Sequence, residues 1–189
     1  MYLMQMVLQG LWFEKDPSLL MLPNMNDNLI KILQQNGITQ LKQLFEYPKP
    51  SLQRLLQSIL TQPKLSELLQ ALERFPQIQM KCNLQKTESS REQNLYLLEI
   101  KLRRTKSGSR AFAPRFPKIK DEAWWLVLGN TKTWELYALK RISFSDHLTT
   151  SMVITPDQMN LEGTKLLLVS DCYLGFEQQY TVHNNTLDA

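Results

Sequence analysis

At Pro76 the apolar residues of this chain change their spacing from a helical period to a period of two, and no single regular element satisfies both. Before that point Leu29, Ile30 and Leu33 recur at helical intervals, as do Leu41, Leu44 and Phe45. Leu52, Leu55, Leu56 and Ile59 mark a further helix, and Leu65, Leu68, Leu69 and Leu72 the last. Punctuation agrees with the period. Asn26 or Asp27 can cap the first of these helices, and Asn36-Gly37 supplies its left-handed stop. Thr39 is expected to cap the next, which Tyr47-Pro48-Lys-Pro50 ends. Pro63 stands near the start of the last helix and Pro76 just past its end. An opening helix places Leu3, Met6, Val7 and Gly10 on one stripe and breaks around Asp16-Pro17.

After Pro76, Ile78, Met80, Cys82 and Leu84 alternate with polar residues, and Leu98, Ile100 and Leu102 do the same beyond a polar loop expected over Lys86 to Gln93. Lys106-Ser-Gly-Ser-Arg110 is the next turn. Trp124 to Leu128 and Thr133 to Lys140 flank Gly129-Asn-Thr-Lys132 as a hairpin would. Ser151 to Ile154, Lys165 to Tyr173 and Gln178 to Val182 complete about seven short strands, the number an immunoglobulin or fibronectin type III sandwich needs. The fold class is therefore α+β, a small helical domain followed by an all-β sandwich.

The stretch FPKIKDEAWWLVLG, Phe116 to Gly129, breaks the alternation expected of a sheet with one wet face. Ala123, Trp125 and Val127 fall on one side, Trp124, Leu126 and Leu128 on the other, so both sides need cover. Leu166 to Val169 is apolar on both sides as well, and in an immunoglobulin-like order the two strands are neighbours. Burying one Trp removes about 150–250 Å² from water, at most roughly 4–6 kcal/mol. Two covers remain open: the helical half of the same chain, or a foreign partner.

Charge is uneven. Eleven of the 22 Lys and Arg lie between Lys101 and Arg141 against only Asp121, Glu122 and Glu135, and the rest of the chain is net acidic. Nucleic acid or an acidic protein would feel that region most, although a solvated sheet face carries the same pattern. Cys82 and Cys172 lack the spacing of an immunoglobulin disulfide and read as buried free thiols suited to a reducing compartment. No apolar run reaches membrane-span length and the first residues lack the basic start of a signal peptide, which points to a nuclear or cytoplasmic, non-secreted chain. The sequon Asn184-Asn-Thr186 is then coincidental.

Catalytic patterns fail on their chemistry. DEAW resembles the acidic box of an ATPase, but that box needs its apolar strand before the Asp, where Lys-Ile-Lys stands here. Gly163-Thr-Lys165 lacks the partner glycines of a phosphate loop. Cys82, Cys172, His147 and His183 have no metal-ligand spacing, and so few histidines leave a nucleophile without its base. No metal, cofactor or catalytic residue is expected. A milder candidate is the turn Gln34 to Lys42, where N–H groups at a helix start could hold a nucleic-acid phosphate. Lys31, Asn36, Gly37, Thr39 and Lys42 are its candidate contacts; a plain helix connector has the same pattern.

Met1 to Trp12, LMLPN at Leu20 to Asn24, APRFPK at Ala113 to Lys118, DEAWWLVLG at Asp121 to Gly129 and VSDCYLGFEQQY at Val169 to Tyr180 together resemble the C-terminal Sec-sixty-three domain of large Ski-type (DExH) nucleic-acid helicases. The likeness spans nearly the whole chain, and its last two motifs are the most specific. It implies residues 1–21 as the last helix of a truncated bundle, 22–76 as a helix–loop–helix, 77–183 as a fibronectin type III-like sandwich and 184–189 as a tail. Both ATPase lobes and the rest of the bundle are missing from the match, so the chain reads as a fragment or truncated product. The implied role is a non-catalytic accessory module of an ATP-dependent RNA or DNA helicase. Its partners would be the motor lobes and helical bundle of the parent, other protein subunits, and RNA or DNA, with no membrane. Trp124, Trp125, Leu126, Leu128, Leu167, Val169 and Tyr173 would be its scaffold and docking surface. The competing reading is a freestanding protein-interaction adaptor unrelated to helicases.

Overall fold

A computed structural model of the chain describes residues 2–87 and 95–182. The loop expected over Lys86 to Gln93 falls largely outside them, as do His183, the Asn184 sequon and the 184–189 tail. Lys86 itself lies in a strand. Contacts divide the chain into two compact units. One comprises Met1–Phe75, Arg110–Asp121 and Asp171–Phe176; the other comprises Pro76–Ser109, Glu122–Ser170 and Glu177–Ala189.

The first unit is helical: α1 (Tyr2–Gln9), a 3-10 turn (Ser18–Met21), α2 (Asp27–Gln35), α3 (Gln43–Glu46), α4 (Lys49–Gln57) and α5 (Gln62–Leu72). Leu29 and Leu33 of α2, Leu44 of α3, Leu52 and Leu56 of α4, and Leu65 and Leu68 of α5 are buried, as their spacing requires. Asn26 caps α2 by accepting the Leu29 N–H at 2.9 Å, and Gly37 takes the expected left-handed φ of 79°.

Two local expectations are corrected. Thr39 does not cap α3; its N–H and hydroxyl both donate to the Gln43 side-chain oxygen, at 2.7 and 3.2 Å, and Lys42 takes the cap position. The Leu3 and Val7 side of α1 is exposed, while Gln5, Leu8 and Gln9 are buried. Gln9 is tolerated inside because its amide donates to the carbonyls of Phe112 at 3.1 Å and Cys172 at 2.9 Å. Around it an aromatic cluster forms. Phe75 lies 5.3 Å from both Phe112 and Tyr173, and the Tyr173 hydroxyl accepts the Phe112 N–H at 2.8 Å.

The second unit is an antiparallel β-sandwich of three plus four strands. One sheet orders β1 (Ile78–Thr87), β2 (Leu95–Arg104) and β5 (His147–Ile154); the other orders β4 (Glu135–Ile142), β3 (Trp124–Asn130), β6 (Thr164–Ser170) and β7 (Gln178–Thr181). A short α6 (Pro156–Asn160), with a capping box on Thr155 and Gln158, precedes β6. The expected neighbours β3 and β6 do pair, with Leu126 opposite Leu168 and Leu128 opposite Leu166, all four buried. Helices followed by an all-β sandwich, the fold class read from the sequence, is what the chain adopts.

The β3–β4 hairpin is longer than its turn residues suggest. Gly129 and Asn130 continue β3 through a register shift after Leu128, and Asn130 Oδ1 accepts the N–H groups of Lys132 and Thr133 at 2.8 and 3.0 Å. Trp134 closes the turn with φ of 61°, a position at which such hairpins ordinarily use glycine. Trp134→Gly is expected to raise the stability of the sandwich by about 1 kcal/mol in chemical denaturation, since the left-handed backbone costs an L-residue roughly that much.

Candidate functional site

The turn after α2 has little left for a phosphate. The Gly37 N–H donates to Gln34 O, that of Ile38 to Leu33 O, those of Thr39 and Gln40 to the Gln43 side chain, and that of Leu41 to Ser18 Oγ at 3.0 Å. Asn36 turns its own amide back to Ile32 O at 2.9 Å. Lys31 is exposed and Lys42 half-buried, so side-chain charge is what this turn offers an anion. Neither Gln43 nor Ser18 was marked by the sequence pattern, because both act through tertiary or reversed local bonds.

A more open basic surface lies in the same unit. The segment Arg110–Asp121 carries Arg110, Arg115, Lys118 and Lys120, none of them ion-paired among the described residues. Arg110, Lys118 and Lys120 line a groove of about 350 Å³ with Arg74, whose guanidinium stands 4.6 Å from the Phe112 ring centroid.

The tryptophan strand separates into two faces. Trp124, Leu126 and Leu128 are buried, while Trp125 and Val127 are half-buried. Leu167 is half-buried beside Val127, Val169 is buried beside Trp125, and Tyr173 is fully buried in the aromatic cluster of the helical unit. Trp124, Leu126, Leu128 and Tyr173 are thus interior, and Trp125 and Leu167 reach the surface.

Sequence reading passed over one buried charge pair. Arg104 Nη1 lies 2.7 Å from Glu122 Oε2, their side chains 3% and 1% exposed. The approach is an ion pair rather than an aligned hydrogen bond, and Arg104 Nη1 also reaches Phe144 O at 3.4 Å. A signal existed: Arg104 continues the buried face of Leu98, Ile100 and Leu102 by one more step of two. Glu122, the Glu of DEAW, is therefore spent inside the sandwich.

Burial pushes the Cys82 thiol up to about 11, which leaves it un-ionised and unreactive at neutral pH. Cys172 is buried, and its thiol donates to Asp171 Oδ1 at 2.9 Å. Among the described residues no cluster of His, Cys, Asp and Glu could hold a metal ion, and no helix is long and apolar enough to cross a membrane.

The family model for the Sec63 Brl domain matches residues 1–183. Among curated relatives, the DExH-box ATP-dependent RNA helicase DExH14 of Arabidopsis thaliana is 50% identical over 184 residues, covering 96% of the chain and 8% of the relative. DExH12 of the same plant is 32% identical over 94% of the chain, again 8% of the relative. Human activating signal cointegrator 1 complex subunit 3 is 29% identical over 99% of the chain and 11% of its own length. The chain thus spans about a tenth of each.

Proposed function

This chain belongs to the Sec63 Brl domain family, and from that premise we propose that it is a non-catalytic accessory module of an ATP-dependent RNA helicase, bracing the motor lobes and docking protein partners. The observation that carries the reading is the 50% identity to DExH14 along nearly the whole chain, while nine-tenths of that helicase lies outside the match. The motor would reside in that remainder. The interior use of Glu122 supports the same division of labour, since its carboxylate meets Arg104 instead of an open site.

Residues 22–76 would form the helix–loop–helix and 77–183 a fibronectin type III-like sandwich. The exposed Leu3, Met4 and Val7 of α1 suit a helical bundle of the parent, which would bury them. Nucleic acid would be touched by side chains, through Lys31, Lys42 and the Arg110–Asp121 segment. A nuclear or cytoplasmic setting belongs to this reading.

Titrating the purified chain against the motor lobes of DExH14, prepared without their own matching region, tests the proposal. Saturable binding that an unrelated protein does not show is expected. A freestanding adaptor would show no preference for the lobes, and that result would sink the accessory role.

A further inference from the structure

The segment Arg110–Asp121 returns on itself. An antiparallel bridge joins Arg110 to Asp121, and the Ala111 N–H donates to Lys120 O at 2.8 Å, so the two ends of one loop run side by side. Arg74, Arg110, Lys118 and Lys120 line the groove of about 350 Å³ at this loop. Its seven other lining residues are alanine, proline, phenylalanine and isoleucine; Glu73 and Asp121, neighbours in sequence, do not line it. Arg74, Arg110 and Lys118 are exposed and Lys120 is half-buried. None of the four has an ion pair or a side-chain hydrogen bond among the described residues. One groove thus gathers four cations whose charge the described residues do not neutralise.

What the groove lacks decides which anion fits it. An extended acidic peptide is held largely through its main chain, and the main-chain donors here are spent or missing. The Ala111 N–H serves Lys120 O, that of Phe112 the Tyr173 hydroxyl at 2.8 Å and that of Phe116 Ala113 O at 3.0 Å, while Pro114 and Pro117 have none. A phosphate needs only the side-chain charges that remain. Bases and sugars need more. Among the described residues no serine, threonine, tyrosine, asparagine or glutamine lines the groove to bond a base edge or a 2′-hydroxyl, and the Phe112 ring is buried with the Arg74 guanidinium 4.6 Å from its centroid.

We propose that this groove grips successive phosphates of a nucleic-acid strand and reads neither base nor sugar. The proposal rests on the accessory-module reading and deepens it by naming the ligand chemistry of the Arg110–Asp121 segment. Contact through charge alone leaves a strand free to slide past, as a helicase requires.

The test is a titration of labelled oligouridine with the whole chain across a range of salt concentrations. Each neutralised phosphate of a single strand adds about 0.7 to the steepness with which log affinity falls against log salt. Arg110→Ala combined with Lys118→Ala should therefore lower that slope by about 1.4 and weaken binding at low salt at least about tenfold. Lys81→Ala combined with Arg103→Ala removes the same charge from exposed strand positions of the sandwich and should leave the slope unchanged. Melting of both double variants should match wild type, because all four side chains are exposed. Mixed-sequence RNA and oligodeoxyuridine should bind within about threefold of oligouridine. No binding by the wild-type chain, an unchanged slope in the groove variant, equal slope losses in both variants, or a larger preference among the strands would overturn the proposal. So would oligoglutamate displacing oligouridine at equal charge, which would assign the groove to an acidic protein segment. Titration of the wild-type chain with the motor lobes keeps the two readings apart: lobes bound without groove-dependent RNA binding sinks this inference alone, and the reverse sinks the accessory role alone.

Discussion

Glu122→Ala is expected to cost the sandwich about 3–5 kcal/mol in chemical denaturation. The reason lies in what remains. Arg104 is 3% exposed and stands 2.7 Å from the Glu122 carboxylate; truncating Glu122 leaves a guanidinium inside the protein without its counter-charge. Phe144 O at 3.4 Å offers one weak bond, and Arg104 Nε has no acceptor among the described residues. Removing both charges is a different matter. Arg104→Met combined with Glu122→Leu should be far milder than Glu122→Ala and close to wild type, because desolvating the two ions roughly offsets their attraction. A Glu122→Ala loss below about 1 kcal/mol would show that the pair is not held dry as described.

Trp124→Ala should destabilise by about 3–5 kcal/mol, whereas Trp125→Ala should cost roughly 1–2 kcal/mol. The two residues are adjacent in sequence and chemically identical, so the contrast isolates the strand face. Trp124 is 1% exposed and shares its face with Leu126 and Leu128; Trp125 is half-buried. The Trp124 indole N–H finds no acceptor among the described residues, a burial cost that Phe does not carry. Trp124→Phe is therefore expected to retain most of the stability, losing about 1–2 kcal/mol of packing. Equal losses at Trp124 and Trp125 would contradict the assignment of inner and outer faces.

The sheet was legible because a strand repeats every two residues, and Leu98, Ile100 and Leu102 obey that rule with all three buried. Short polar caps were legible too, as Asn26 and Gly37 show. Where reading failed, a polar side chain had found partners remote in sequence. Gln5 and Gln9 belong to the buried side of α1, and Gln9 bonds carbonyls at Phe112 and Cys172, more than a hundred residues away. Apolar Leu3 and Val7 consequently point outward. Arg104 hid in the same manner, since its even position matched the buried face but its charge argued for water. At the α2–α3 turn, Gln43 and Ser18 occupy the N–H groups that a phosphate would use, and neither lies where a capping residue is sought. Trp134 escaped notice because a turn position is judged by glycine, and a Trp there gives no periodic signal.

RNA-stimulated ATP hydrolysis tests the accessory role most directly, measured for this chain alone, for the DExH14 motor lobes without their matching region, and for the two mixed. The account predicts no turnover by the chain alone and a changed rate when it joins the lobes. Turnover by the chain alone that follows the folded protein through purification, or lobes whose rate is indifferent to it at saturating concentration, would contradict it.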